Sequence, residues 1–517
     1  MSFINSMEKV LNEDFNNSVT ENGAVGYRTT GTALLDFNFK VSSYRNKREL
    51  DIIEDFMKVF YEDKVTAMKF LFFIRDREEG LGERRLFRVI INYLATAETD
   101  IVKAVAPVIA EYGRWDDLLE LFDTPLEEYT INDIITKQLD QDATNYKAGK
   151  PISLLAKWLP SINATSEKTK ARAKKILKYS KVTEKEYRKM LSVLRKYIDV
   201  TERKMCANEW DKIVYEGVPS RANLNYNDAF LRHDEARRRE FLGQVQKGEK
   251  KINAGKLYPH DIVHKYTGGS RYERKPLDAT IEALWKALPK KEIANTLVVA
   301  DGSGSMTSTI GKTNITALDV ANALAIYFAE HNKGEFYNQY ITFSENPQLV
   351  KFNKTDSLRD KIFKCFAYNE VANTNIEKVF GLILKTAIDN NLTQEEMPKN
   401  ILIISDMEFD SCAVCGMATG GYYRNFKAPD KKLFQVIEKA YKEHGYKLPK
   451  LIFWNVNSRT GTIPMKENDL GVALVSGFST NIAEMVMNDK LDPLEILLDK
   501  LNTKRYEKIG KIIKKVL

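Results

Sequence analysis

The sequence predicts two folds in one chain: an N-terminal all-α region of helix pairs stacked as a solenoid, and a C-terminal α/β domain built on a doubly wound sheet. Three observations predict it. From about Asp51 to Leu242, apolar residues recur at helical spacing between short polar turns, with no convincing period of two. From about Ile293 onward, apolar runs of strand length alternate with amphipathic helical stretches, the pattern of a parallel sheet covered on both faces. With 517 residues, 43% of them hydrophobic, the chain has material for two sizeable cores. The expected boundaries are an N-terminal arm over 1–48, the helical domain over 49–290, the α/β domain over 291–490 and a C-terminal helix over 491–517.

Each element has its reason. Met1 to about Arg48 is polar and rich in asparagine, which suits an arm with little order of its own. In the helical region two strings stand out, LFFIRDREEGLGERRLF (Leu71–Phe87) and EYGRWDDLLELF (Glu111–Phe122). Leu71–Ile74 ends one helix, Gly80 and Gly82 make the turn, and Glu83 starts the next helix near its positive end. Arg75, Asp76, Glu83 and Arg84 are then placed to lock that turn as a local ion-pair network.

Further on, Thr296–Ala300 reads as a buried strand, and Ile315, Leu318, Ala321 and Leu324 mark a helix beyond Thr313. Glu335–Phe343 reads as a strand and Leu358–Tyr368 as a helix; Thr374 stands ahead of a helix on Ile376, Val379, Leu382 and Leu384. Asn400–Ser405 is a strand, Leu433–Glu443 a helix and Leu448–Val456 a strand. Val472–Val475 is a short strand and Thr480–Met487 a helix. The basic amphipathic stretch Leu494–Leu517 reads as a packing helix with a solvated lysine face.

The loop between the first of these strands and its helix, DGSGSMTSTIGKT, sits where open α/β sheets bind ligands, and its spacing decides among three chemistries. A phosphate loop ending in Gly311-Lys312-Thr313 needs its first glycine at Met306, and the match fails. A dinucleotide fingerprint through Gly302 and Gly304 needs its third glycine at Thr307, and fails too. What remains is Asp301-x-Ser303-x-Ser305, a carboxylate and two hydroxyls on alternate residues of a glycine-permitted turn. These are hard oxygen donors that suit Mg2+ or Mn2+. Alone, such a turn is more often a helix cap. A second carboxylate, Asp406, follows the strand Asn400–Ser405, and the Thr374 hydroxyl can either reach a metal or cap its helix.

Asp301, Ser303, Ser305, Thr374 and Asp406, in that order and at those strand and helix positions, resemble the metal-ion-dependent adhesion site of von Willebrand factor A domains. The resemblance spans about Ile293–Met487 and implies a Rossmann-like fold. It further implies that Ser303 and Ser305 ligate the ion directly, Thr374 directly or through water, and Asp301 and Asp406 mostly through water, with an open position for a carboxylate from a protein ligand. One departure is Ala372-Asn373 before Thr374, where many relatives carry glycines. The two helical strings resemble the TROVE module of Ro-type RNA-binding proteins, in Arg75-Asp76, in Gly80-x-Gly82-Glu83-Arg84 and in Tyr112-Gly113-x-Trp115-x-Asp117-Leu118. Together with ALWKALPK and VSGFSTNI, they are more similar to a plant and viral family joining a TROVE-like region to a von Willebrand A domain. That likeness implies a HEAT-like ring that binds small structured RNAs and single-stranded RNA ends, without assigning any contact residue.

Charge supplies a separate hint. The formal excess is +8, which on its own speaks only to solubility. Its distribution is uneven: between Glu167 and Lys204 stand Lys168, Lys170, Arg172, Lys174, Lys175, Lys178, Arg188, Lys189, Arg195, Lys196, Arg203 and Lys204, among others, with Tyr179, Tyr187 and Tyr197 interleaved. Cations on helices attract phosphates by releasing counterions, and rings among them stack unpaired bases; a charge run is also the ordinary make-up of a solvated helix face.

Of four cysteines only Cys412 and Cys415 are suggestively spaced, and no further zinc ligands stand nearby, so the pair reads as structural or incidental. The five histidines are dispersed; His260 and His264 share a helix face that suits packing. No charged-then-apolar leader and no membrane-length apolar stretch is evident, so the expected location is the cytoplasm, a host's if the protein is viral. The expectation is a noncatalytic RNA-binding protein with a metal site for a carboxylate ligand. Its rivals are a metal-dependent protein scaffold or viral structural component that binds no RNA and, ranked last, a metal-dependent nuclease or phosphatase, since no second metal or positioned base can be identified.

Overall fold

A computed structural model describes residues 15–21, 25–268, 275–343, 346–368, 376–408, 433–464, 472–483 and 492–517, with 4, 7 and 490 besides. The chain forms two compact units: Met1–Arg48 with Leu257–Lys500, and Glu49–Lys256 with Leu501–Leu517.

The first unit is organised by a six-stranded sheet. A two-stranded hairpin, β1 (Asn17–Val19) and β2 (Val25–Tyr27), precedes it. The sheet strands are β3 (Thr296–Asp301), β4 (Gln339–Phe343), β5 (Leu349–Lys351), β6 (Asn400–Ser405), β7 (Lys450–Asn455) and β8 (Val472–Ser476). Their spatial order is β8-β7-β6-β3-β4-β5, parallel throughout except for the antiparallel edge pair β4–β5. β3, β7 and β8 are buried at every residue, which explains apolar runs without polar alternation.

Alternate side chains serve two faces. Leu297, Val299, Ile401, Ile403, Leu451 and Phe453 join Val379, Phe380 and Ile383 of helix Ile376–Asp389, and Ile437 and Tyr441 of helix Leu433–Glu443. Trp454, on the alternate register, meets Phe328 of helix Ala317–His331 with ring centroids 5.3 Å apart.

Three expectations change here. The N-terminal segment does not stand apart as an arm: helix Ala33–Lys40 sends Leu35 and Phe39 into the sheet's core. Asn38 donates to Leu474 O, and Ser42 N–H donates to Ser476 Oγ, so this segment covers the edge strand β8. A short apolar stripe inside a polar stretch did the work that overall composition hid. The strand expected over Glu335–Phe343 begins only at Gln339, after a 3-10 turn at Gly334–Phe336 and a left-handed Asn338, φ 58°. The single C-terminal helix is two, Pro493–Leu501 and Lys504–Ile513, and the second belongs with the helical unit.

Between Glu49 and Lys256 the described residues are helical or in turns. Helix Lys64–Arg75 is buried from Ala67 onward and starts on Asp63, whose carboxylate accepts from Val65 and Thr66 N–H. Phe72 packs edge-on against Phe87 and Tyr112, and Tyr112 stacks on Tyr506 of the last helix. A second core joins Leu119, Phe122, Ile131, Ile135, Ile176, Tyr187, Leu191 and Leu194, drawing helices Glu167–Ser180 and Glu184–Tyr197 together. Among the described residues no helix is long and apolar enough to cross a membrane.

Candidate metal centre and nucleic-acid interface

From β3 the chain proceeds to β4 on one side, while β6 pairs on the other, so the strand order reverses between β3 and β6. Loops leaving their carboxyl ends diverge and open a crevice there. Asp301 is the last residue of β3, and Asp406 follows β6 directly; both are buried.

The loop after β3 folds back on its own carboxylate. Ser303 N–H donates to Asp301 Oδ1 at 2.9 Å, and the Ser303 and Ser305 hydroxyls lie 3.0 Å apart. Across the crevice Ser405 Oγ donates to Asp301 Oδ2 at 2.6 Å. Burial and the adjacent Asp301 carboxylate push Asp406 up to about 7, while hydrogen bonds from the Ser305 hydroxyl and the Glu408 N–H pull the other way. Asp301, Ser303, Ser305 and Asp406 are thus brought together; Thr374 lies outside the described residues.

Asp406 Oδ2 is buried and accepts no hydrogen bond among the described residues. Its nearest cation among the described residues, Arg459 Nη2, stands 3.8 Å away, beyond hydrogen-bond reach. Two neighbouring buried carboxylates with an unsatisfied oxygen, flanked by two hydroxyls, make a donor set a hard divalent cation would satisfy. No group of three or more His, Cys, Asp or Glu capable of holding an ion occurs among the described residues, so the serine hydroxyls are essential to such a set. The Gly311 N–H, which a phosphate loop would aim at its ligand, donates to Asn46 instead.

Residues with no role expected from the sequence hold this rim. Met407 adopts left-handed backbone, φ 62°, which costs a side-chain-bearing residue about 1 kcal/mol. Glu408 is buried, and its carboxylate accepts from the N–H groups of Glu21, Arg459 and Thr460 at 2.8, 2.8 and 2.9 Å. The available signal was a second carboxylate two residues past Asp406. Helix Ala317–His331 begins with a capping box of Thr316 and Asp319, and Asp319 also takes His264 and Thr267. His260 packs on Tyr258 and Phe478, so the histidine pair is structural. Cys365 is buried and Cys206 exposed; Cys412 and Cys415 lie outside the described residues.

In the helical unit the basic run splits in two. Arg172 pairs with Glu120, Lys175 with Asp123 and Glu127, Lys170 with Glu167, Arg203 with Glu209, and buried Lys204 with Asp199. Arg195 donates to Ala156 O, Leu159 O and Ser161 Oγ, all neutral acceptors. Lys168, Lys174, Lys178, Arg188, Lys189 and Lys196 are exposed and form no ion pair among the described residues. On each helix they lie opposite the buried residues, Ala173 and Ile176 on one, Tyr187, Leu191 and Leu194 on the other. Tyr187 is core, its hydroxyl bonded to Pro160 O, and Tyr197 is turned edge-on to Tyr146; the interleaved rings are not a stacking row. A cavity of about 470 Å³ lies between these helices and the string Glu111–Phe122, lined by Arg88, Asp116, Lys157, Trp158, Arg172 and Arg195 among others.

The two helical strings meet, although not as the expected local network. Arg75 pairs with Asp117 at 2.7 Å, and Asp76 pairs with Arg505 and accepts from Tyr506 Oη at 2.9 Å. The Arg114 N–H also donates to Asp117. A Cβ on Gly113 would strike the Asp117 carboxylate and the Arg75 guanidinium, which gives that glycine its reason.

Residues 295–511 match a domain of unknown function, DUF7788, and residues 164–296 match another, DUF2828. Uncharacterized protein L728 of Acanthamoeba polyphaga mimivirus is 31% identical over 526 residues, covering 93% of this chain and 87% of that protein. Among solved structures, the crystal structure of the Deinococcus radiodurans RO (RSR) protein is similar at a TM-score of 0.43 and 14% identity, over 84% of this chain and 92% of that one.

Proposed function

We propose, from the premise that this chain belongs to the family of mimivirus protein L728, that it is a noncatalytic RNA-binding protein with a divalent-cation site for a carboxylate. The reading joins a TROVE-like helical region to a von Willebrand A-like domain. The observation that carries the metal part is the convergence of Asp301, Ser303, Ser305 and Asp406 at the crevice between β3 and β6, with Asp406 Oδ2 unsatisfied among the described residues. Mg2+ or Mn2+ fits such oxygen donors, and Thr374 is the fifth ligand by resemblance. Bound there, the ion would supply a positive centre able to accept an outside carboxylate. The strand order, with its single antiparallel edge, supports the domain assignment.

Exposed Lys168, Lys174, Lys178, Arg188, Lys189 and Lys196 support the RNA part, because cations that serve no internal carboxylate remain available to phosphates. The test is anisotropy of a labelled RNA hairpin with a single-stranded extension, titrated with protein between roughly 50 and 200 mM salt. Affinity should fall steeply with salt, and replacing Lys168, Lys174, Arg188 and Lys189 by glutamate should flatten the slope. Absence of RNA binding at the lowest salt would overturn this part. It would leave the second reading, a metal-dependent protein scaffold, which the crevice supports by itself.

A further inference from the structure

The hairpin β1–β2 lies against the rim of the same crevice. Tyr27 and Ile463 exchange both backbone hydrogen bonds at 2.8 Å, and Ser18 Oγ meets Thr462 Oγ1 at 3.0 Å. A Cβ on Gly26 would press on Ile463 O at 2.5 Å, so the two backbones approach as closely as glycine permits. Glu408, two residues beyond Asp406, accepts from the N–H groups of both Glu21 and Arg459 and fixes hairpin and loop to one carboxylate.

This places Glu21 and Arg459 at the candidate site. Arg459 Nη2 pairs with Glu21 Oε2 at 2.5 Å and faces Asp406 Oδ2 at 3.8 Å. The pair with Glu21 is closed and the gap to Asp406 is not, and among the described residues Arg459 Nε and Asp406 Oδ2 are each buried without a hydrogen bond. Arg459 thus stands between the Glu21 and Asp406 carboxylates, bonded to the first and beyond hydrogen-bond reach of the second, in a place a smaller cation could take.

We propose that Glu21 is the site's own carboxylate ligand, supplied in cis by the N-terminal hairpin, and that Arg459 is the latch holding it against Asp406 until a divalent cation takes Arg459's place. The inference rests on the metal reading above. It makes the hairpin the first occupant of the position an outside carboxylate would fill, so that a protein ligand must displace Glu21 to bind.

Water-proton relaxation of Mn2+ added to the full chain tests it, because each protein oxygen on the ion removes one coordinated water. Wild type should bind Mn2+, and Asp301→Ala should abolish binding. Glu21→Ala, at a half-exposed side chain, should raise the relaxivity of the bound ion by the increment of one water and weaken affinity by about tenfold. Arg459→Ala should tighten Mn2+ binding severalfold by removing the competing cation. Mn2+ bound by wild type and Glu21→Ala with equal affinity and relaxivity, or bound more weakly by Arg459→Ala, would overturn the in-cis ligand and leave the metal site standing. No Mn2+ binding by wild type would overturn both.

Discussion

Ser405 Oγ donates to Asp301 Oδ2 at 2.6 Å and accepts the Met407 N–H at 3.0 Å, so one hydroxyl ties the end of β6 to the end of β3. It orients the carboxylate on which the serine loop closes. Ser405→Ala should therefore keep the fold, by circular dichroism, and lower Mn2+ affinity about tenfold or more by calorimetry. An unchanged affinity would show that Asp301 needs no such support.

A pH dependence follows from Asp406. Its folded value, about 7, lies above its ordinary value of 3.8. The fold therefore holds a proton that the unfolded chain releases, and stability falls as pH rises from about 4 through 7. The loss amounts to a few kcal/mol at most. The melting temperature of the metal-free protein should drop between about pH 5 and 7.5. Millimolar Mg2+ should restore it at the upper end, since the ion competes with the proton. Asp406→Asn should remove both effects.

Arg75 and Asp117, 42 residues apart and both buried, test the helical unit. Asp117→Ala leaves Arg75 buried without its carboxylate and should cost about 3–5 kcal/mol in denaturant unfolding. The double change Arg75→Met, Asp117→Leu should recover part of that loss, because the buried guanidinium goes with its partner and Arg88, which also pairs with Asp117, keeps Asp116 and Glu120, while the Arg114 N–H loses its acceptor. Equal losses in the single and double variants would assign the cost to packing.

The split of the basic run predicts opposite phenotypes within one segment. Lys174→Glu with Lys189→Glu should leave melting unchanged and reduce the salt slope of RNA binding by about 0.7–0.9 for each phosphate no longer neutralised. Arg195→Ala should destabilise the fold, since its guanidinium ties Ala156, Leu159 and Ser161 together. Filter binding and thermal melts on both variants separate the two roles.

These contrasts show what the residues announced and what they hid. Asn400–Ser405, Leu358–Tyr368 and Leu433–Glu443 were legible to the residue because long apolar runs and strong helical periodicity are local signals. The nearness of Asp301, Ser303, Ser305 and Asp406 was legible because each stands at or just beyond a strand end, where the sheet decides their convergence. Glu408 and Arg459 were not, since their roles depend on a hairpin more than 380 residues earlier in the chain. The pairing of Arg75 with Asp117, and of Asp76 with Arg505, was hidden for the same reason: charges advertise that they need partners without naming them. Leu35 and Phe39 were masked by polar neighbours. Phe39→Ala should cost the sheet unit about 3–5 kcal/mol if that segment is core, and almost nothing if it were a loose arm.

The most direct test of the central claim, a divalent cation held between the ends of β3 and β6, is anomalous diffraction from crystals grown with Mn2+. A single strong peak is expected at about 2.1 Å from the Ser303 and Ser305 hydroxyls, in reach of Asp406 directly or through water, and no peak in Asp301→Ala crystals. Diffraction from well-ordered wild-type crystals with no anomalous density between Asp301 and Asp406, or with Mn2+ bound only elsewhere, would contradict it.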